Sequence, residues 1–312
     1  MPYRHIPAMQ REVLQYLNCR SGKTYVDGTL GGAGHARSIL EKIGPRGLLI
    51  AIDQDIEAIE NAQESLKAFK TKIRLFRGNF VQLPDALSQF GIDGVDGILL
   101  DLGLSLHQIK ASGRGFSFQL DEPLDMRMNI ETKETAADII NRAPEQDLKK
   151  IFKSYGEERW SGKIAKRIVA ERSREAIGTS KKLAEIVMAA IPRGAMQRQR
   201  IHPATRVFMA LRIAVNKELE RLEAFMDVAF NLLNPTGRLC VISYHSLEDR
   251  IIKHRIRALE KGCQCPGDFP QCACGRERQV KNLTRKPIRP TALETEDNPM
   301  ARSARLRAAE KL

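Results

Sequence analysis

The stretch "YVDGTLGGAGHARSIL" at residues 25–40 joins an apolar run to the start of an amphipathic helix through a loop with one acidic residue and four glycines. Glycine permits positive φ angles and lets the backbone approach a ligand closely. The spacing matches neither the G-x-G-x-x-G of dinucleotide sites nor the G-x-x-x-x-G-K-[ST] of triphosphate loops. The loop therefore predicts a ligand site of another kind.

Four short apolar runs alternate with segments of helical periodicity in the first third of the chain. The runs are "TYVDGT" (24–29), "GLLIAID" (47–53), "IRLFRGNF" (73–80) and "GILLDLG" (97–103). Apolar runs of this length between amphipathic helices are typical of buried parallel strands. The pattern predicts an α/β, Rossmann-like sheet that binds ligands at the carboxyl ends of its strands.

Acidic residues stand at these strand ends and indicate the charge of the ligand. Asp27 at the first strand end would repel a pyrophosphate, whereas it would attract the amino group or sulfonium of S-adenosylmethionine. Asp53 ends the second strand, from which an acidic side chain reaches ribose hydroxyls. The residues therefore favour S-adenosylmethionine over NAD. The plainer alternative is a glycine-rich turn in which Asp27 caps the following helix.

The strand pattern stops at about residue 114 and resumes near the carboxyl end. Residues 114–215 show helical periodicity with basic residues on the opposite face, and a long helix is expected within 204–234. A strand is expected at "LCVISY" (239–244) and a final one at "ARSARLRAAE", while 275–300 is expected to be extended or mobile. The predicted domains are thus 1–113 and 216–312, with an all-helical insertion at 114–215.

Charge is distributed unevenly along the chain and suggests a polyanionic partner. Residues 114–215 hold 20 Lys and Arg against 13 Asp and Glu, a net charge of +7, whereas residues 1–113 carry +1. Neutralising phosphates with basic side chains releases counterions and favours nucleic-acid binding. Solvated helix faces are the alternative explanation. The sequence contains no run of about 18 apolar residues, which is the length that a membrane span requires. We therefore expect no membrane partner and a cytoplasmic location.

The fourth strand ends in "DLGLSLHQ" (101–108), the place where we expect the transfer chemistry. Methylation of an exocyclic amino group needs no covalent nucleophile and no metal ion. It needs acceptors that hold the N–H groups while the nitrogen attacks the methyl carbon, and Asp101 is a candidate. The Asn/Asp-Pro-Pro-aromatic motif of DNA amino-methyltransferases is absent. Cys265, which precedes Pro266, could be a nucleophile like the cysteine of cytosine carbon-5 methyltransferases, but it lies within a cysteine cluster.

Motifs along nearly the whole chain resemble the bacterial small-subunit ribosomal RNA cytosine-N4 methyltransferase family. They are "HIPAMQREVL", "VDGTLGGAGHARSIL", "AIDQDIEAI", "GILLDLGLSLHQ", "RGFSF" with "LDMRM", "YGEER", "HPATRVFMALRIAVNKEL", "ISYHSLEDRIIK" and "ARSARLR". The resemblance implies a class I methyltransferase sheet, interrupted by a helical domain that recognises the substrate. It also implies S-adenosylmethionine-dependent methylation of a cytosine amino group in the decoding region of small-subunit ribosomal RNA, within a ribosomal particle.

The resemblance also implies site residues. Together with Asp27 from the charge argument, the expected cofactor contacts are Ala33, Gly34, His35, Asp53, Phe80, Asp101 and Gln108. Tyr244 and His245, at the end of the fifth strand, join Asp101 as candidates for holding an extruded base, with a structural role as their alternative. The family commonly has Gly-Gly-His at 33–35, and an acidic residue where this chain has Lys110.

Two other functions stay open at this point. The chain could methylate another nucleic acid or a protein, or it could be a ribosome-assembly factor that keeps the fold without transferring a methyl group.

Four cysteines cluster as C-x-C-x₆-C-x-C at positions 263, 265, 272 and 274. Four thiolates so close in sequence can bind zinc tetrahedrally, although C-x₂-C pairs are the more usual spacing. Reduced thiols and disulfides are the other two possibilities. The sequence leaves zinc possible at Cys263, Cys265, Cys272 and Cys274.

Overall fold

The computed structural model describes residues 7–196, 201–263, 265 and 274–312. The chain divides into two compact units. The first comprises Met1–Gly103 and Leu219–Leu312, and the second comprises Leu104–Glu218. Within the described ranges, no helix has the length and apolar character that crossing a membrane requires.

Strands and helices alternate in the first unit, and helices follow one another in the second. The strands are β1 (Thr24–Asp27), β2 (Leu48–Asp53), β3 (Ile73–Arg77), β4 (Val95–Asp101), β5 (Leu233–Ser243), β6 (Val280–Asn282) and β7 (Arg305–Lys311). The helices are α1 (Gln10–Leu17), α2 (Gly34–Ile43), α3 (Ile56–Ser65), α4 (Leu83–Gln89), α5 (Leu106–Lys110), α6 (Ala136–Arg142), α7 (Glu145–Ser154), α8 (Ser161–Arg172), α9 (Ser180–Ala190), α10 (Arg193–Met196), α11 (Thr205–Asn216), α12 (Glu218–Val228), α13 (Ser246–Lys261) and α14 (Ala292–Asp297).

The seven strands form one sheet in the order β3-β2-β1-β4-β5-β7-β6. Strands β1 to β5 are parallel to one another. Strand β7 lies antiparallel to β5, and β6 lies antiparallel to β7. The α/β, Rossmann-like prediction is therefore confirmed, and the four expected strands of the first third are β1 to β4. The expected final strand is β7.

Burial on both faces explains why the central strands have nearly continuous apolar sequences. Side chains alternate between the two faces along a strand, so Tyr25 packs into one core and its neighbour Val26 packs into the other. The first core includes Ile39 of α2, and the second includes Phe225 of α12 and Ile252 of α13. Helices thus cover both sides of the sheet.

Strand β5 begins earlier than the expected 239–244, at Leu233. It includes the Pro-Thr-Gly segment that the sequence predicts as a turn. Thr236 has a φ of 65°, and the pairing with β4 shifts its register between Val95 and Gly97. Such an irregularity accommodates turn residues within a strand.

The long helix expected within 204–234 is interrupted at Lys217, whose φ of 50° ends α11 before α12 begins. The preceding Asn216 is buried, and its side chain accepts a hydrogen bond from the Met128 N–H and donates one to the Met126 carbonyl, both at 2.8 Å. The apolar period continues through the interruption, so periodicity alone could not reveal it.

The described residues of the second unit form helices and loops around a core of their own. Their β pairing is limited to an isolated bridge between Pro123 and Thr179. Helix α6 follows Thr135 and α9 follows Thr179, and each threonine side chain accepts a backbone N–H of the first helical turn. The unit contains the segment 114–215, whose part in substrate recognition stays a prediction.

Candidate methyl-donor site

Three carboxylates lie at one edge of the sheet because they end neighbouring parallel strands. Asp27, Asp53 and Asp101 are the last residues of β1, β2 and β4, and β1 lies between the other two. Asp27 is 1% exposed, and desolvation by burial raises its pKa to about 6. Burial also raises the pKa of Asp53 to about 6. This edge therefore concentrates negative charge in a place with little solvent to screen it.

One oxygen of Asp27 is available to a ligand. Its Oδ1 accepts a hydrogen bond from the Thr29 N–H at 3.2 Å, whereas its Oδ2 is buried without a hydrogen-bond partner among the described residues. A buried acceptor without a partner is costly unless a ligand or water satisfies it. The position and charge of this oxygen fit a cationic group.

The glycine loop wraps around the ends of β1 and β2. The Gly31 N–H donates to Asp53 Oδ2 at 2.8 Å, and the Asp55 N–H donates to Asp53 Oδ1 at 2.9 Å. A Cβ on Gly28 would lie 2.5 Å from the end of the Leu100 side chain and 3.3 Å from the Phe80 Cβ, so a larger residue would displace its neighbours. The Gln54 backbone also acts on this carboxylate, so Asp53 is held by three backbone groups, and its two oxygens together can still accept a further hydrogen bond from a ligand.

Helix α2 begins directly after this loop, at Gly34. Ala33 precedes it with a φ of 61°, a left-handed conformation that costs a residue with a Cβ on the order of 1 kcal/mol. A glycine at this position would avoid that cost. A Cβ on Gly34 would lie 3.0 Å from the Pro7 ring, so the backbone of this turn is closely packed.

His35, in the first turn of α2, faces the end of β4. Its side chain is 6% exposed, and its Nε2 lies 3.5 Å from Asp101 Oδ2. Neither ring nitrogen has a hydrogen-bond partner among the described residues. His35 also acts electrostatically on Asp27, where it opposes the effect of burial on the pKa of that carboxyl. The His35 imidazole therefore interacts with two of the three carboxylates, Asp101 and Asp27.

Tyr244 contacts the other oxygen of Asp101. The Tyr244 hydroxyl donates to Asp101 Oδ1 at 2.8 Å, and the Asp101 N–H donates to Thr29 Oγ1 at 2.6 Å. Burial and the Asp101 carboxylate raise the pKa of Tyr244 well above its ordinary value. Tyr244 consequently keeps its proton at neutral pH and acts as a donor that orients Asp101.

His245 and Glu248 hold the chain at the end of β5. His245 is the N-cap of α13, and its Nδ1 accepts the Glu248 N–H at 3.4 Å. The Glu248 carboxylate in turn accepts the Tyr244 N–H at 2.9 Å and lies 3.2 Å from His245 Nε2. Sequence reasoning missed Glu248, although its place three residues after an N-cap is typical of a capping box.

Phe80 and Gln108 lie on different units. Phe80 follows β3, and its ring packs edge-on against Phe225 at a centroid distance of 5.4 Å. Its Cβ lies 3.3 Å from the position of a Cβ on Gly28, so Phe80 forms an apolar wall beside the glycine loop. Gln108 belongs to the second unit, where its side chain accepts the Ser105 N–H at 3.1 Å. Its expected contact with the cofactor stays a prediction, as do those of Ala33, Gly34 and His35.

The strand order, the antiparallel β7 beside β5 and the acidic edge beside a glycine loop together define a class I, S-adenosylmethionine-dependent methyltransferase. The chain belongs to the MraW methylase family, whose model matches residues 2–312.

Curated relatives match over essentially their full length. The chain is 54% identical over 309 residues to the ribosomal RNA small subunit methyltransferase H of Desulforapulum autotrophicum, covering 99% of each chain. It is 52% identical over 312 residues to the protein of the same name from Geobacter sulfurreducens, covering 100% of each chain. The protein of that name from Desulfosudis oleivorans is 51% identical over 312 residues, again with 100% of each chain covered.

We expect the affinity for S-adenosylmethionine to fall as the pH falls through about 6, because Asp27 and Asp53 have their pKa values there. Protonation removes the charges that attract the donor. Asp53→Asn keeps the side-chain shape without the charge and should weaken binding by about tenfold to a hundredfold, the effect of losing a charge-assisted hydrogen bond. Calorimetry on both proteins across this pH range measures the effect.

Asp93→Asn is the matched control, because Asp93 is an exposed carboxylate that precedes β4 at its other end. This variant should bind as the parent protein does. Parent-like affinity in Asp53→Asn, or an affinity in the parent that does not change between about pH 5 and about pH 8, contradicts the assignment.

Proposed function

We propose that this protein transfers the methyl group of S-adenosylmethionine to the exocyclic N4 amino group of a cytosine in small-subunit ribosomal RNA. The main support for the donor is the acidic edge beside the glycine loop, where Asp27 is buried and Asp53 is partly buried. The substrate follows from membership of the MraW methylase family and from the names of the curated relatives. The proposal includes a target in the decoding region, a ribosomal particle as the substrate, and the cytoplasm as the location.

The acidic edge and the glycine loop would hold the donor by charge and by backbone contact. Asp53 accepts hydrogen bonds from ribose hydroxyls with the lone pairs that the loop leaves available. The unpartnered Oδ2 of Asp27 attracts a positive group, and Phe80 offers an apolar wall. Bound in this way, S-adenosylmethionine supplies a methyl group activated by its sulfonium charge.

Asp101 is the residue that we propose to orient the target amino group. Its Oδ1 accepts the Tyr244 hydroxyl, and its Oδ2 lies 3.5 Å from His35 Nε2. A carboxylate oxygen has two lone pairs, so Asp101 can accept an N–H of the cytosine while it keeps its bond to Tyr244. That acceptor directs the nitrogen lone pair at the methyl carbon. The N–C bond forms as the C–S bond breaks, and the surplus proton leaves along the hydrogen bond to Asp101.

Tyr244 and His245 act as positioning residues in this scheme. The Tyr244 hydroxyl fixes the Asp101 carboxylate from one side, which leaves its other lone pairs directed away from the tyrosine. His245 contributes indirectly. It caps α13 and pairs with Glu248, whose carboxylate accepts the Tyr244 N–H. Holding reacting groups in line contributes to a transfer that needs no covalent intermediate.

Single-turnover methylation of small-subunit ribosomal RNA tests these roles. The product after nucleoside digestion should be N4-methylcytosine. Asp101→Ala should lower the rate by about 100-fold or more at saturating S-adenosylmethionine, because a transition-state hydrogen bond is lost. Tyr244→Phe should cause a smaller loss of about tenfold, because the carboxylate remains without its support.

Tyr16→Phe removes a hydroxyl from a half-buried tyrosine that packs on the first core and should leave the rate unchanged. If saturating donor restores the Asp101→Ala rate, Asp101 only holds the cofactor. A methylated protein, a different modified nucleoside, or RNA binding without any transfer would each overturn the proposed function.

The basic second unit is the proposed RNA contact. Lys163, Lys166 and Arg174 are exposed in or just after α8, and Lys163 also lies 4.9 Å from the Trp160 ring centroid. Arg114, in contrast, is buried, and its guanidinium donates to the carbonyls of residues 127 and 128. The exposed cations are therefore the better candidates for phosphate contacts.

Reversal of Lys163, Lys166 and Arg174 to Glu should weaken RNA binding and reduce its dependence on salt, while S-adenosylmethionine binding stays unchanged. Filter binding to small-subunit RNA at several salt concentrations measures both quantities. The control reverses three exposed lysines of the first unit, Lys42, Lys67 and Lys70. Equal effects of the two triple variants would indicate a nonspecific charge effect, and a parent-like salt slope in the α8 variant would show that this surface does not contact RNA.

A further inference from the structure

Three cysteines converge just beyond the end of α13, in a part of the first unit that the methyl-transfer scheme does not use. The sulfur atoms of Cys263, Cys265 and Cys274 all lie within 4.8 Å of one another, and the three side chains are partly buried. Cys272, the fourth cysteine of the motif, lies outside the described residues. The described cluster therefore consists of Cys263, Cys265 and Cys274.

The backbone brings these sulfurs together. Helix α13 ends at Lys261, and Gly262 reverses the chain with a φ of 69°. A Cβ on Gly262 would lie 2.6 Å from the Glu277 backbone, so the returning segment passes directly against the turn. The Gln279 N–H also donates to the Leu259 carbonyl at 3.0 Å. Cys263 and Cys274 are thus adjacent because of the path of the chain around a required glycine.

We propose that Cys263, Cys265 and Cys274 bind a zinc ion through their thiolates. Tetrahedral zinc with Zn–S bonds of about 2.3 Å places its sulfur ligands about 3.8 Å apart, a spacing that the observed cluster reaches with small side-chain adjustments. Thiolates select a soft or borderline ion such as zinc, whereas calcium and magnesium require oxygen ligands. Binding releases one proton from each thiol that coordinates the metal.

Basic residues lie close in sequence to the three cysteines. Three thiolates around one divalent ion leave a net negative charge, and Lys261, Arg276 and Arg278 lie within four residues of the ligands in sequence. All three of these cations are exposed. The Arg278 guanidinium also lies 3.4 Å from the Glu260 carboxylate.

The ion has a structural role, because the cluster lies far from the reacting groups. Helix α13 has 16 residues, so its two ends are about 24 Å apart. His245 caps the first end, and the cysteines follow the second. A metal here fastens the end of α13 to the segment that leads into β6, which pairs with β7 at the sheet edge. It therefore stabilises the fold around the carboxyl-terminal strands without entering the reaction.

Metal analysis of protein purified without chelator or metal-affinity resin tests the site, independently of any methyl transfer. We expect about one zinc per chain in the parent protein, and a lower thermal midpoint after a strong chelator removes it. Cys263→Ser and Cys274→Ser should each lose most of the zinc. Cys19→Ser, which removes a partly buried thiol elsewhere in the first unit, should keep it.

Cobalt substitution in the parent protein keeps the test valid if a variant fails to fold. Thiolate ligands should give intense charge-transfer absorption, and a tetrahedral site should give strong visible bands. Metal-free protein in which all six cysteines react as thiols after unfolding would overturn the proposal in favour of reduced thiols. Metal-free protein with fewer reactive thiols would overturn it in favour of disulfides.

Discussion

Burial of carboxylates at one edge of a parallel sheet is the constraint on which the rest of this structure depends. Asp27 and Asp53 each have a pKa of about 6 because the strands that carry them end inside the fold. Such groups remain mostly ionised at neutral pH, in surroundings that penalise the charge. A cationic ligand relieves that penalty, whereas a pyrophosphate would increase it.

The neighbouring backbone stabilises the charged form of Asp53, which lies on the strand beside the buried Asp27. Asp53 accepts two backbone N–H groups, one of them from the glycine loop. Gly28 lets the chain cross the end of β4, and Ala33 accepts a left-handed conformation so that α2 can begin. The strain and the burial both occur beside the candidate site, which is where proteins commonly tolerate them.

Local pattern was enough to predict the strands and the acidic edge, because both follow from short segments of sequence. Strands β1 to β4 show as apolar runs, and Asp27, Asp53 and Asp101 end three of them. The segment 275–300 was expected to be extended or mobile, and it contains the short strand β6 but also the helix α14. Strand β6 has three residues and exists through its pairing with β7, so no local pattern could identify it.

Contacts between distant residues account for the rest of what sequence reasoning could not supply. The Tyr244–Asp101 hydrogen bond joins residues 143 positions apart, and it changes the interpretation of Tyr244 from a base contact to a support for Asp101. Glu248 is a local exception, because its carboxylate holds the Tyr244 N–H four residues away and its place after the His245 N-cap could have indicated it. The cluster of Cys263 and Cys274 depends on the turn at Gly262, whose direction is set by the returning chain.

The central claim is that the acidic edge selects a cationic donor, and calorimetric titration of the parent protein with S-adenosylmethionine and with NAD at neutral pH tests it most directly. The account predicts saturable binding of S-adenosylmethionine and no measurable binding of NAD, because the buried carboxylates repel the pyrophosphate. Binding of NAD as tight as that of S-adenosylmethionine would contradict it.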